Sequence, residues 1–137
     1  MKVAAPSVVV ARAALDAALV HAESGRLEHA VEALESLALD PARRSIWLGK
    51  VHLAASDPAS ATEHLRRAVF LASEDIVARY WYAHALHLSR ESAAAHKQLV
   101  ELERRLAKLH PTESFYDGEV SAKELAASVS FLLGGYR

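Results

Sequence analysis

Histidines and basic side chains are where chemistry could begin in this sequence. Its 137 residues include eight histidines, 16 lysines and arginines, 17 acidic residues and no cysteine. His84 and His87 stand three apart, a spacing that puts two imidazoles on one helix face and can hold a metal ion. No carboxylate of the same helix is aimed at them, and Trp81, Tyr82, Ala85 and Leu86 intervene as packing residues. The pair is therefore expected to face a partner, with no metal. His21 and His52 are expected to pack between helices with one ring nitrogen hydrogen-bonded, so their titration would loosen the packing in mild acid. Without cysteine there is no disulfide, thiol nucleophile or thiolate metal site. Ser, His and Asp occur without a nucleophile turn, and Gly134-Gly135 reads as a helix end rather than a phosphate loop. Glu32, Glu35, Glu101 and Glu103 read as exposed helix charges. No catalytic residue and no cofactor are expected.

Charge sets further bounds. The formal net charge is -1, which argues against a general nucleic-acid binder. The basic pairs Arg43-Arg44, Arg66-Arg67 and Arg104-Arg105 sit beside apolar residues within helices and read as solvated faces. Hydrophobic residues make up 52% and charged residues 24%, ordinary for one globular domain of this length. The apolar run ending at Val10 is interrupted by Arg12 and Asp16 and is too short to span a bilayer. No membrane insertion and a cytoplasmic location are expected.

The elements that must position these residues are all helical. Apolar residues at Val10, Ala14, Ala17, Ala18 and Val20 recur at helical spacing, with Ser7 as the expected cap and Ser24-Gly25 as the stop. A second helix is expected over about 27–39. Asp40-Pro41 and Asp57-Pro58 each supply an N-cap and a proline at the first helical position, opening helices to about 55 and 72. Ser73-Glu74-Asp75 opens a fifth helix to about 88, its carboxylates suited to the positive end of the helix dipole. A sixth runs over about 92–109, with Pro111 beyond its end. Residues 112–119, with Asp117-Gly118, read as a loop. Ser121 and Glu124 form a capping box for a seventh helix ending at Gly134-Gly135. No strand-period segment of useful length appears.

The pattern repeats. Ala18, Gly49 and Ala83 are small residues at intervals of 31 and 34. The same intervals separate Gly25, Ser56 and Arg90 at the turns, Ala30, Ala61 and Ala95 opening each second helix, then Leu34, Leu65 and Leu99, then Leu37, Ala68 and Leu102. Small residues let two antiparallel helices approach, leucines fill the gap to the next pair, and neighbour contacts between stacked pairs supply stability. The shorter first interval implies a deletion at the end of the second helix, before Asp40-Pro41.

This order resembles the tetratricopeptide repeat family. Leu48-Gly49 and Tyr82-Ala83 match its bulky-then-small pair, Gly25 its turn glycine, Ala30, Ala61 and Ala95 its first alanine, and Asp40-Pro41 its closing Asp-Pro. His21 and His52 replace the usual tyrosine, and the third repeat has Arg90 at the turn and no closing proline. The resemblance implies an all-α superhelix of three helix pairs (about 11–40, 41–73 and 74–110) in one domain over 1–137, with a C-terminal capping helix over about 120–134. It also implies a peptide- or protein-binding concave face formed by the first helices. By register that face includes Arg12, Leu15 and Leu19, then Arg43, Ile46, Lys50 and Leu53, then Val77, Tyr80, His84 and His87. Its mixed character suits a peptide carrying apolar and acidic residues. Leu15 and Leu19 stand where repeats that clamp a chaperone's C-terminal carboxylate place Lys and Asn.

A narrower likeness runs through residues 61–71, 78–86 and 116–125, which are similar to the C-terminal repeat region of chemoreceptor methyltransferases of the myxobacterial Frz-system type. The catalytic domain of such enzymes and residues for S-adenosylmethionine are absent from this sequence. The likeness implies a regulatory domain that contacts a methyltransferase or a chemoreceptor and governs site selection. The alternatives are a type III secretion-type chaperone that sequesters a hydrophobic helix, and a generic assembly scaffold.

Overall fold

The computed structural model describes residues 4–115 and 120–136, with side chains from Arg12 onward. Seven helices appear among them, in chain order α1 (Ala4–Glu23), α2 (Leu27–Glu35), α3 (Pro41–Ala54), α4 (Pro58–Leu71), α5 (Ile76–Leu88), α6 (Ser92–Leu106) and α7 (Ala122–Gly134). The chain is all-α apart from one antiparallel hairpin of two-residue strands, β1 (Ser114–Phe115) and β2 (Val120–Ser121). Strands this short have no periodicity to read, so the hairpin corrects the expected loop. Asp117-Gly118 lies outside the described residues. No helix among the described residues is long and apolar enough to cross a membrane.

The helix starts reflect local chemistry. Asp40 is the N-cap of α3, its carboxylate accepting from the Arg43 N–H at 2.9 Å. Asp57 does the same for α4 through Ser60 at 3.2 Å, and Asp75 caps α5 through both Val77 and Ala78. Ser121 and Glu124 close the capping box of α7. Three boundaries differ from expectation. α1 begins at Ala4, so Ser7 lies inside it rather than capping it; Pro6 is tolerated there because a first-turn N–H has no helical acceptor. α2 stops at Glu35, where the Ser36 hydroxyl donates to the Ala33 carbonyl at 2.7 Å. α6 ends at Leu106, short of Leu109.

The turns within the three helical hairpins share one geometry. Gly25, Ser56 and Arg90 all take the left-handed conformation, at φ 82°, 62° and 62°. The next residue in each case has an N–H that reaches back five positions: Arg26 to His21 O, Asp57 to His52 O and Glu91 to Leu86 O, at 2.8, 2.9 and 3.0 Å. These bonds satisfy carbonyls that a helix end would otherwise leave open. Glycine adopts that geometry freely, whereas Ser56 and Arg90 hold it against the Cβ clash.

Packing recurs with the sequence intervals. Ala18, Ala83, Ala30, Ala61 and Ala95 are completely buried, as are Leu34, Leu65 and Leu99. The approach is closest between α3 and α4. A Cβ on Gly49 would stand 2.7 and 2.8 Å from the two Leu65 methyls, inside ordinary contact distance. Consecutive helices pack on each other, and α3 also touches α1 and α5. The largest buried cluster joins Ala83 of α5 and Leu99, Leu102 and Leu106 of α6 to Leu125, Val129 and Leu133 of α7. α7 thus buries leucines that α6 would otherwise expose.

Candidate functional site

The helix α3 supplies the centre of the candidate site. Its cap fixes the first turn, which sends Arg43 outward while Ile46 and Trp47 turn in, at 5% and 3% exposure. Lys50 lies one turn later. Its ammonium is 3.8 Å from the centroid of the Trp47 ring and 5.0 Å from that of Trp81 on α5. Arg12 of α1 approaches the other side of this arrangement, its guanidinium carbon 6.0 Å from the Trp47 ring. Its Nε is 3.4 Å from the Asp16 carboxylate. The result is a cation–aromatic ladder, Arg12–Trp47–Lys50–Trp81, that crosses three helices. Such contacts contribute roughly 0.5–1 kcal/mol when exposed and about 2 when desolvated, and they fix where the charges sit.

Beside the ladder is a cavity of about 310 Å³. Arg12, Arg43, Ile46, Trp47, Asp75, Val77 and Phe115 line it. Asp75 spends its carboxylate on the first turn of α5, accepting from Val77 at 2.9 Å and Ala78 at 3.2 Å. Arg43 is exposed at the opening and Arg12, ion-paired with Asp16, lies along the same wall, set against an apolar floor of Ile46 and Val77 and an aromatic wall from β1. That combination suits a chain segment with a carboxylate and an adjacent apolar side chain.

Further along α5 two half-buried side chains reach the end of the chain. The Tyr80 hydroxyl is 3.0 Å from Ser128 Oγ. His87 Nδ1 is 2.6 Å from the Tyr136 hydroxyl, just past the end of α7. His84 lies between them, stacked on Tyr80 at 6.2 Å and edge-on to Trp81 at 5.7 Å. Its Nδ1 is buried without a hydrogen-bond partner. Burial, then the neighbouring His87, lowers the pKa of His84. A second cavity of about 330 Å³ opens between Tyr80 and Trp81 on α5 and Leu125 and Ser128 on α7.

Of the residues to which the sequence points, the structure gathers Arg12, Arg43, Ile46 and Val77 at one cavity and sets Lys50 beside it. Leu53 packs against the cluster of Ala61, Leu65 and Ala85. Tyr80 and His87 face α7, and Leu15 is buried against Trp47 and Val51. The His84–His87 pair has one imidazole engaged by Tyr136, and no group of three or more potential ligands for a metal occurs among the described residues. Trp47, Trp81, Asp75 and Phe115 join the site from the structure alone. The tryptophans carry a usable signal, since they stand 34 residues apart, the interval of the repeat. Phe115 carries none, because its position depends on the hairpin.

No protein-family model, no curated protein and no solved structure matches the chain.

Proposed function

We propose that the chain is a non-catalytic adaptor of tetratricopeptide type, in which α1, α3 and α5 are the first helices of three stacked pairs and α7 is the cap. A protein partner docks an extended or helical segment across α1, α3 and α5, setting an acidic side chain against Arg12 and Arg43 and an apolar one on Ile46, Val77 and Phe115. The observation that carries this reading is the cavity of about 310 Å³ beside a lysine held over two indoles. A lysine placed over aromatic rings gives up rotamer entropy that a merely solvated lysine keeps, which favours a binding role for this face.

Within this reading the partner class is the catalytic domain of a chemoreceptor methyltransferase or the receptor itself, as the likeness of residues 61–71, 78–86 and, above all, 116–125 suggests. The test is capture of the purified catalytic domain, of a receptor fragment and of an apolar translocator helix by the immobilised chain, repeated with Arg43→Glu and Lys50→Glu. Capture of the first or second, lost in both variants, supports the reading. Capture of the translocator helix alone supports a secretion chaperone instead, and capture unaffected by either variant removes the groove from consideration.

A further inference from the structure

A second basic pocket lies between α5 and α6 and shares no residue with the groove cavity. It encloses about 550 Å³, with Arg79 from α5 and His96, Lys97, Gln98, Glu101 and Arg105 from α6 along its walls. Two guanidiniums meet there. Arg79 Nη2 and Arg105 Nη1 each donate to the single Ser73 carbonyl, both at 3.2 Å. Arg79 Nη1 is held by Gln98 Oε1 at 2.6 Å, and Arg79 Nε is buried without a hydrogen-bond partner. Both acceptors on Arg79 are therefore neutral. Burial, then the charge of Arg105, lowers the pKa of Arg79, which is the response of a cation placed beside a like charge away from water. Anionic relief is partial. Glu101 is shared between Arg104 and Arg105, and Glu74, 3.8 Å from Arg105, is 92% exposed.

We propose that this pocket binds a phosphate monoester, with Arg79 and Arg105 as forked donors from two helices and Lys97 as the third positive charge. Arg79, Lys97 and Arg105 against Glu101 leave the wall two positive charges in excess, the complement of a phosphate dianion. A carboxylate has two oxygens and one charge and would satisfy one guanidinium; a phosphate can bridge both. The pocket is separate from the groove, so it adds a second input to the chain and does not depend on the groove reading. Two sources supply this chemistry: a phosphorylated side chain on a partner, and a small free phosphate.

The test is titration calorimetry on the whole chain with inorganic phosphate, a phosphoserine peptide and the same peptide unphosphorylated. Saturable binding of at least one phosphate-bearing probe, and none of the plain peptide, is expected. Tighter binding of the phosphopeptide assigns the source to a modified partner, and equal or tighter binding of inorganic phosphate assigns it to a small molecule. Arg79→Gln and Arg105→Gln are each expected to weaken binding about tenfold or more, the size of a lost hydrogen bond to a charged group. Because both arginines also pin the turn at Ser73, two milder variants guard against a folding artefact. Lys97→Gln, on the surface, is expected to weaken binding roughly two- to threefold. Arg79→Lys keeps the charge, loses the fork and is expected to fall between wild type and Arg79→Gln. Arg43→Glu in the groove is expected to leave phosphate binding unchanged. Absence of saturable binding by both phosphate probes, or wild-type affinity in both Arg79→Lys and Lys97→Gln, overturns the proposal.

Discussion

Helices α3 and α5 bring one register to two different ends. Arg43, Ile46, Lys50 and Leu53 on α3 stand 34 residues before Val77, Tyr80, His84 and His87 on α5. On α3, Arg43 and Ile46 line a cavity and Lys50 lies beside it over the Trp47 ring. On α5 the polar atoms of Tyr80 and His87 are met by Ser128 and Tyr136 from the last helix and the residues after it, while His84 Nδ1 between them is buried without a hydrogen-bond partner. The same register thus borders a cavity at Arg43 and Ile46 on α3 and a half-buried seam with the last helix at Tyr80 on α5.

The comparison breaks most readily by loosening α7. Leu133→Ala removes a fully buried leucine from the cluster joining α5, α6 and α7 and is expected to cost about 2–5 kcal/mol in urea unfolding. Hydrogen exchange should then rise in α7 and in the α5 segment around Tyr80. A cost under about 1 kcal/mol, well below that range, would mean that α7 does not hold this seam.

The other side of the comparison rests on the tight seat of α3 on α4. Gly49→Ala gains about 1 kcal/mol of helix propensity but drives a methyl into Leu65, an overpacking that costs roughly 1–3 kcal/mol. A net loss is expected. In a Leu65→Ala background the clash is gone, and the same Gly49→Ala change should become stabilising, a reversal that a double-mutant cycle reads directly. Equal effects in both backgrounds would show that the two helices are not in contact at this point.

Smaller effects sharpen the contrast. Ser121→Ala removes the capping box and is expected to cost about 1 kcal/mol, with exchange rising at the start of α7 and partner affinity at the groove unchanged. A drop in groove affinity equal to that of Arg43→Glu would show that the two regions are not separate. The smallest effect is in pH. His84 sits below its ordinary value of 6.5, first because of burial. The unfolded chain therefore takes up the proton first, so this stability is complete above the ordinary value and is lost as pH falls through it toward the folded value. His64 is shifted in the same direction by burial and by His52 and Arg67, with Glu63 opposing. His84→Gln should flatten part of the acid dependence seen by thermal unfolding below the ordinary histidine range and leave the share of His64.

Much of this fold is legible in the sequence because its determinants are local. Asp40-Pro41, Asp57-Pro58 and the Ser121–Glu124 box announce helix starts, and Ala30, Ala61 and Ala95 recur at the intervals of the turns. Ser7 misleads because side-chain capping preference is weak beside the gain from extending a helix. The site is less legible. Arg43 and Lys50 can be placed by register, but the covering of Tyr80 and His87 depends on how α7 lies across α5, a contact between residues 48 and 49 apart that no local pattern encodes. Lys50 reads as a lone surface cation until Trp47 and Trp81 are seen on either side of it.

The central proposal is that a partner docks across α1, α3 and α5 with Arg43 and Lys50 of α3 at the middle of its contact. The direct measurement is the affinity of one captured partner for wild type, Arg43→Glu, Lys50→Glu and the α7 surface control Lys123→Glu. The expected result is a loss of about tenfold or more in each groove variant, the size of a broken charged contact at an interface, with the control unchanged. Wild-type affinity in both groove variants would contradict the account.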